Sequence, residues 1–447
     1  MKLILSKYTH CFETSDKEHL LYNSESNCFF KITESLFKDL VALSQGKYFP
    51  KFKEEMLKLL LKHKIIIEED KKYSFFNKIK LINSLERFSY DKLTLNIIPT
   101  TCCNFYCPYC FEKNKTNHTM TDTVINDLFS FINKNQKAKK INLMWYGGEP
   151  LLAFEKIKII LNRLYNEVSI PITNHSMITN GYLFDKDVCN FFKKYPLSNL
   201  QITLDGDENK HNLKRFTRTD HSTFNKIVNN IECILNELPN THVDIRINID
   251  ETNKESFHDL HDRFSTLWKN KNFSIYPGFL RIENKAQTEM IEPSILGDSK
   301  RAFYFDLQNK GTEVDFYPIH RDKSCSAVRM NTYIIGPEGE FYKCWNDVSN
   351  KNKIIGYINQ PYLTNPDLLA KYIMDGTLFE DPECKDCFFF PICGGGCPQY
   401  RLKNKYEKGK YNLCPVQNDK SMDMQCLNQS LEKHYKKLKG TNHIIEI

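Results

Sequence analysis

The sequence predicts an α/β protein built on a parallel sheet or barrel, and three observations carry that reading. Between Leu93 and about residue 317, short apolar runs alternate with amphipathic helical stretches, the pattern of repeated β-α units. Residues 1–85 read instead as hairpin, two helices and hairpin, a winged-helix-like unit. Residues 318–426 lose the alternation and concentrate cysteine and glycine, without a tandem repeat.

The elements follow in order. Leu20–Ser24 and Cys28–Ile32 are apolar runs separated by Glu25-Ser26-Asn27, a hairpin signal. Glu34–Ser44 and Phe52–His63 follow helical spacing, the second with Met56, Leu59 and Leu60 on an apolar face. Ile65–Ile67 and Tyr73–Phe76 flank Glu69-Asp70-Lys71-Lys72 and predict a second hairpin. Strands are expected at Leu93–Ile98, Ile141–Tyr146, Ser176–Thr179, Leu200–Leu204 and Val243–Ile249. Helices are expected after the Thr121 cap and at Phe154–Val168, Lys186–Lys194 and Phe224–Asn236. Residues 427–447 are lysine-rich and read as a surface helix with a loose end. In such folds the reactive residues sit at the C-terminal strand ends.

The bulk composition bounds the function. With 41% hydrophobic and 26% charged residues, the 447-residue chain reads as an ordinary globular protein. Its +7 net charge permits an acidic partner without demanding one. The N-terminal MKLILSKYTHCFE lacks the apolar core of a signal peptide, and no run is long enough for a spanning helix. The expected location is therefore the cytoplasm, and no membrane partner is expected. In that reducing compartment the 16 cysteines point to metal or redox chemistry rather than disulfides.

The first cluster follows the Leu93–Ile98 strand, where Cys103, Cys107 and Cys110 form C-x3-C-x2-C. A structural zinc site wants four ligands. Three thiolates on a four-iron cubane leave one iron open for a ligand. These residues, with Tyr109, resemble the C-x3-C-x-aromatic-C loop of the radical S-adenosylmethionine (SAM) superfamily. The resemblance implies a partial (β/α)6 TIM-like barrel over residues 90–317. It also implies SAM chelated to the open iron and cleaved reductively to a 5′-deoxyadenosyl radical, with Cys103, Cys107 and Cys110 as the catalytic cluster ligands. Gly147-Gly148-Glu149-Pro150 follows the next strand and resembles the family's GGEP motif, which holds the cofactor's amino group. Paired glycines allow close backbone approach and Glu149 supplies a counter-charge. Thr179-Asn180, Thr203 and Asp205 resemble the cofactor-contacting strand ends, and His211 to Arg215 the H-x3-R segment, with Asn212 where an Asp is usual. Arg246 and Asn248 are expected to face the barrel lumen.

The second cluster comprises Cys325, Cys344, Cys384, Cys387, Cys393, Cys397 and Cys414. Its order resembles the SPASM extension of peptide-maturing radical enzymes, placed here at 318–426. That resemblance implies two auxiliary clusters, one on Cys325, Cys344 and Cys397 and one on Cys384, Cys387, Cys393 and Cys414, for three [4Fe-4S] clusters in all. A fourth ligand to the former is left open: a substrate thiolate, Asp347, Asp322 or a remote cysteine. Cys189 and Cys233 fall on helix faces as core, and burial is expected for Cys102 and Cys426.

The resemblance implies an oxidoreductase that crosslinks a ribosomally made precursor peptide, first of all through a Cys thioether of the sactipeptide or ranthipeptide type. Carbon–carbon or ether crosslinks (cyclophane type) use the same parts. The N-terminal unit would bind the leader, and flavodoxin or ferredoxin would donate electrons. Sulfatase maturation to formylglycine is an alternative, although Trp345 stands where those relatives have an Asp after the cysteine. A metal-stabilised nucleic-acid-binding protein is the reading from another class; it would need neither Glu149 nor an open cluster, and nucleic acid is not the expected partner.

Overall fold

The computed structural model describes residues 2–47, 50–110, 116–135, 137–250, 252–280, 282–283, 290–291, 303–304, 306–307, 309–312, 317–321, 325–360, 363–411, 413–414, 420–439 and 446. The N-terminal unit holds β1 (Leu3–Leu5), β2 (Thr9–Glu13), β3 (His19–Asn23), β4 (Cys28–Ile32), α1 (Glu34–Ser44), α2 (Glu54–Lys62), β5 (Ile66–Glu68) and α3 (Ser74–Phe88). The first predicted hairpin forms as β3 and β4, Tyr22 opposite Phe29, with Asn27 turning the chain at a positive φ of 50°. Thr33 caps α1 by accepting the Leu36 N–H.

The second predicted hairpin does not form. β5 pairs antiparallel with β1, Leu3 opposite Glu68, and Tyr73–Phe76 leads into α3. Phe76, Asn83 and Arg87 recur at helical spacing and are buried along one face, a longer pattern than the four-residue run suggested.

The barrel strands are β6 (Lys92–Ile97), β7 (Lys140–Trp145), β8 (Ile172–Thr179), β9 (Asn199–Leu204), β10 (His242–Ile249) and β11 (Phe273–Phe279), six parallel neighbours in sequence order. Between them run α4 (Asp122–Lys134), α5 (Phe154–Glu167), α6 (Lys186–Lys194), α7 (Glu208–Lys214), α8 (Thr223–Glu237) and α9 (Ser256–Leu267). Thr121 caps α4 through the Val124 N–H, as its position predicts. This is the partial (β/α)6 barrel. Its strands alternate. Leu93, Leu95, Ile141, Leu143, Leu200, Ile202, Val243 and Ile245 are fully buried beneath the helices. Their neighbours Asn142, Gln201, Thr203, Asp244, Arg246, Ser274 and Tyr276 face the other way and are half-buried. The inner face is therefore a polar trough.

After a short pair, β12 (Ile282–Glu283) and β13 (Met290–Ile291), the cysteine-rich segment begins by extending the same sheet. β14 (Thr332–Ile335) lies parallel on the free side of β6, followed by antiparallel β15 (Glu340–Tyr342) and β16 (Gly356–Tyr357). The last helix, Lys420–Leu438, is more than a surface helix. Leu427, Leu431 and Tyr435 pack against Phe12, Leu20 and Tyr22 of the N-terminal sheet. Their i, i+4, i+8 spacing is an apolar stripe that the surrounding lysines obscure.

Candidate active site

β6 ends at Ile97 and the cysteine loop follows, anchored by Thr101 N–H and Thr100 Oγ1, which both donate to His118 O at 2.9 Å. Within it Cys110 N–H donates to Cys107 O at 3.1 Å, and Phe105 N–H reaches Cys103 Sγ at 3.4 Å. Burial pushes the Cys103 thiol up to about 12 and raises Cys107, opposed at both by Arg215. Such thiols ionise when a cation takes them.

The paired glycines face the cysteine loop itself. A Cβ on Gly148 would lie 2.2 Å from Cys102 O, and one on Gly147, at φ 143°, 2.4 Å from Thr100 O. Their bareness lets the β6 and β7 loops close on each other, sealed by Glu149 N–H donating to Cys102 O at 2.8 Å. Glu149 is fully buried. Its carboxylate accepts from Thr179 Oγ1 (2.7 Å), Leu151 N–H (3.1 Å) and Asn180 N–H (2.8 Å). Burial raises its pKa, and these neutral donors pull it back. Asn180 Nδ2 in turn donates to Asn104 Oδ1 at 2.8 Å. The second and third motif segments thus converge on the first.

A second network closes the other side. Tyr109 Oη accepts from Arg215 Nη1 (3.1 Å) and Asn248 Nδ2 (3.2 Å). Asn248 Nδ2 also donates to Asp205 Oδ1 (3.2 Å), which Arg215 approaches to 3.8 Å. Burial works against the Arg215 charge, but Tyr109, Cys107 and Asp205 outweigh it and keep the guanidinium protonated. Burial raises Asp205, with Arg215, Tyr109 and Asn248 opposing. His211 is buried and neutral, accepting the Asp205 N–H at 3.3 Å, so it orients the strand end. Asn212 accepts the Phe224 N–H at 3.0 Å, work an amide oxygen does as well as a carboxylate. Thr203 lies outside these networks, in the trough beside Arg246. Arg246 faces the lumen as expected; its Nε–H donates to Asn248 Oδ1 at 2.9 Å, and it lies where a side chain on Gly278 would sit. Sequence reasoning missed Asn253, whose amide donates to Asp205 O and Asn248 O and ties β9 to β10. No spacing signals it.

Among the later cysteines, Cys344 lies within electrostatic reach of Cys397 and Cys325, and Cys325 of Cys397. Cys384 interacts with Cys393 and Cys387, and Cys393 with Cys414 and Cys387. Gly396, at φ 79°, lets the chain pass Leu413 O, which a Cβ would meet at 1.9 Å, and so brings Cys397 beside the Cys414 segment. Asp347 is buried next to Cys344, its oxygens accepting from Tyr372 Oη (2.5 Å) and Gln399 Nε2 (3.0 Å). Asp322 lies outside the described residues. Cys189 is buried in the barrel core, and Cys233 packs against it. Cys102 and Cys426 are only half-buried.

Residues 97–264, which span this first site, match the radical SAM superfamily. The chain carries a radical SAM domain and is a radical SAM enzyme. It is 25% identical over 342 residues to the cysteine-type anaerobic sulfatase-maturating enzyme of Clostridium novyi (strain NT), covering 68% of this chain and 86% of that one. It is 24% identical over 262 residues to the radical SAM cyclopropyl synthase TigE of Paramaledivibacter caminithermalis, covering 52% of this chain and 54% of TigE. Its fold is similar to native anSMEcpe with bound AdoMet and Kp18Cys peptide, with a TM-score of 0.55, 19% identity, and coverage of 78% of this chain and 97% of that one.

Radical SAM domains bind S-adenosylmethionine and a [4Fe-4S] cluster, and the residues here fit both. Three buried polar atoms around the cysteine loop lack partners within the protein: Asp205 Oδ2, Arg215 Nε and Asn104 Nδ2. A polar ligand seated there would satisfy them. Among the described residues no three His, Cys, Asp or Glu side chains converge as ligands of a single ion. Cubane thiolates bind separate irons and need no such convergence. No helix among the described residues is long and apolar enough to cross a membrane.

Proposed function

We propose that this radical SAM enzyme modifies a ribosomally made precursor peptide, joining a Cys sulfur to a carbon as a thioether. The observation that carries this reading is that Cys325, Cys344 and Cys397 lie within electrostatic reach of one another. These three support an auxiliary [4Fe-4S] cluster with a position left for the substrate thiolate, and Cys384, Cys387, Cys393 and Cys414 a fully ligated one. With Cys103, Cys107 and Cys110 this makes three clusters. Held at the cluster of Cys103, Cys107 and Cys110, S-adenosylmethionine would supply a carbon-centred radical able to take hydrogen from the substrate.

The chain's own residues bind and orient. Glu149 would accept the cofactor's ammonium, its carboxylate held by Thr179, Asn180 and Leu151. Arg215 and Asp205, fixed through Tyr109, would hold the polar remainder. The half-buried inner face of β9–β11 offers a trough for the peptide. As the C–S bond forms, the substrate would give up one C–H hydrogen atom, the thiol proton and one electron; the proton would go to solvent, and an auxiliary cluster held by Cys325, Cys344 and Cys397 would serve as the electron acceptor. Flavodoxin or ferredoxin would donate the initiating electron, and the N-terminal sheet would take the leader as an added strand, raising the local concentration of the core peptide. A peptide as substrate is supported by the solved neighbour that holds one.

Sulfatase maturation is the second reading, favoured by the C. novyi relative. Against it, Trp345 follows Cys344 and packs edge-on against Tyr146, at the end of β7, with centroids 4.4 Å apart. Carbon–carbon or ether crosslinking remains a third outcome of the same parts. Anaerobic turnover with a Cys-bearing precursor peptide encoded beside this chain tests all three. A thioether keeps the sulfur, loses two hydrogens and removes the free thiol. Formylglycine formed from Cys loses the sulfur. An unchanged peptide mass with intact clusters would refute the peptide reading.

A further inference from the structure

Tyr8 stands just before β2 and is 1% exposed, yet among the described residues no hydrogen-bond partner meets its Oη. Its ring packs with Phe76, Phe379 and Phe390 and lies edge-on to Phe75 with centroids 5.6 Å apart; the side chain of Cys387 packs against the same cluster. Phe379 and Phe390 also line a cavity reached by Cys325 and Cys393. A phenol is protonated at neutral pH and offers a donor. Burying that donor unmet costs its desolvation, so native structures supply a partner. The phenylalanine rings around Tyr8 offer no oxygen, nitrogen or sulfur.

Hydrogen bonds fasten this part of the N-terminal unit to the cysteine-rich segment. Ser24 N–H donates to Tyr8 O (2.8 Å), and Ser24 Oγ to Phe388 O (2.7 Å), next to Cys387. The Lys7 ammonium donates to Lys385 O, next to Cys384. Asn27 Nδ2 donates to Pro318 O at 3.0 Å, and His320 Nε2 lies 2.9 Å from Ser24 O. Within the loop itself, Cys387 N–H donates to Cys384 O (3.4 Å) and Phe390 N–H to Cys387 O (3.2 Å). Tyr8 is therefore fixed against the loop that carries Cys384 and Cys387.

We propose that Tyr8 Oη donates a hydrogen bond to sulfur of the iron–sulfur cluster held by Cys384, Cys387, Cys393 and Cys414, so that a residue of the N-terminal unit tunes that cluster. The contact rests on the auxiliary-cluster reading above. A hydrogen bond to cluster sulfur stabilises the more negative, reduced state and so raises the reduction potential. Of the cluster cysteines, Cys387 is the one packed with Tyr8, so one cluster alone should respond.

The test compares the parent and Tyr8→Phe proteins, both full-length and anaerobically reconstituted, by iron analysis and by redox titration followed by electron paramagnetic resonance. Both should hold about twelve irons per chain, from three four-iron clusters. In Tyr8→Phe one cluster should titrate at a lower potential, with about tenfold less of it reduced at a fixed ambient potential, which is about 59 mV for a one-electron couple. The shift should persist when Cys325→Ala is added and vanish when Cys393→Ala is added. Iron release to a chelator gives a second measurement: Tyr8→Phe should speed the loss of about four irons severalfold and leave the rest unchanged. Equal potentials in the two proteins, or a shift that survives Cys393→Ala, would overturn the proposal. A parent protein holding only about four irons would overturn the auxiliary-cluster reading and this contact with it. Full iron with equal potentials overturns this contact alone.

Discussion

Replacing Gly148 with alanine should loosen the radical site without touching a cluster ligand. The added Cβ would lie 2.2 Å from Cys102 O, 2.5 Å from Thr101 O and 2.6 Å from Cys102 C. All three are backbone atoms, so no flexible side chain can swing away. Relief needs the cysteine loop to move by about 1 Å, which strains the 2.8 Å bond from Glu149 N–H to Cys102 O. Overpacking of this kind costs about 1–3 kcal/mol, and the weakened bond adds about 1 kcal/mol. A misplacement of about 1 Å also lowers catalysis by roughly a hundredfold. The checks are anaerobic thermal denaturation of the reconstituted protein and the rate of 5′-deoxyadenosine formation. The two later cysteine groups lie outside the contact, so their iron should be retained. A Gly148→Ala protein with parental Tm and parental 5′-deoxyadenosine formation would refute the close-approach reasoning.

Three further outcomes are expected. Glu149→Gln keeps the shape but sets an amide donor against Asn180 N–H or against the Thr179 and Leu151 donors; it should cost about 1–3 kcal/mol, read as a lowered Tm and weaker S-adenosylmethionine binding. Cys325→Ala and Cys344→Ala should each remove the same iron, about four atoms per chain, and the double variant no more than either alone, whereas Cys393→Ala should remove a different set; additive loss in the double variant would break the grouping. His175 is buried, accepts from Trp145 Nε1–H at 2.8 Å, and is pushed by burial from 6.5 down to about 4. The folded state therefore binds fewer protons than the unfolded state in that window, so stability falls as pH drops from 6.5 to about 4. The loss is roughly 3 kcal/mol from this group, and denaturant titrations of His175→Gln should show a flatter profile.

Much of the fold is legible because its strands are apolar on the outer face and its helices carry clear stripes. Five barrel strands and α4, α5, α6 and α8 lie within a few residues of the positions read from periodicity; α7, α9 and β11 went unread, β11 because Phe273–Phe279 contains a proline and a glycine and resembles no simple run. The second hairpin failed because Tyr73–Phe76 is too short to distinguish period two from the start of a helix, and β1, the true partner of β5, lies more than sixty residues away. The docking of the last helix was hidden because its apolar stripe is only three residues deep among lysines. At the site, the cysteines and Glu149 announce themselves by spacing. The hydrogen bonds that join Tyr109, Arg215, Asp205 and Asn248 do not, since they link residues up to 139 positions apart. Nor was it readable that the paired glycines serve the cysteine loop.

The seating of β14 on β6 bears on how the molecule is assembled. β6 meets β7 after fewer than fifty residues, but its other flank waits for Thr332–Ile335, about 240 positions later. Closing so long a loop is slow compared with local pairing. During synthesis the strand that feeds the cysteine loop therefore has one flank exposed until most of the chain has left the ribosome, and the two cysteine regions are joined through a single sheet only then.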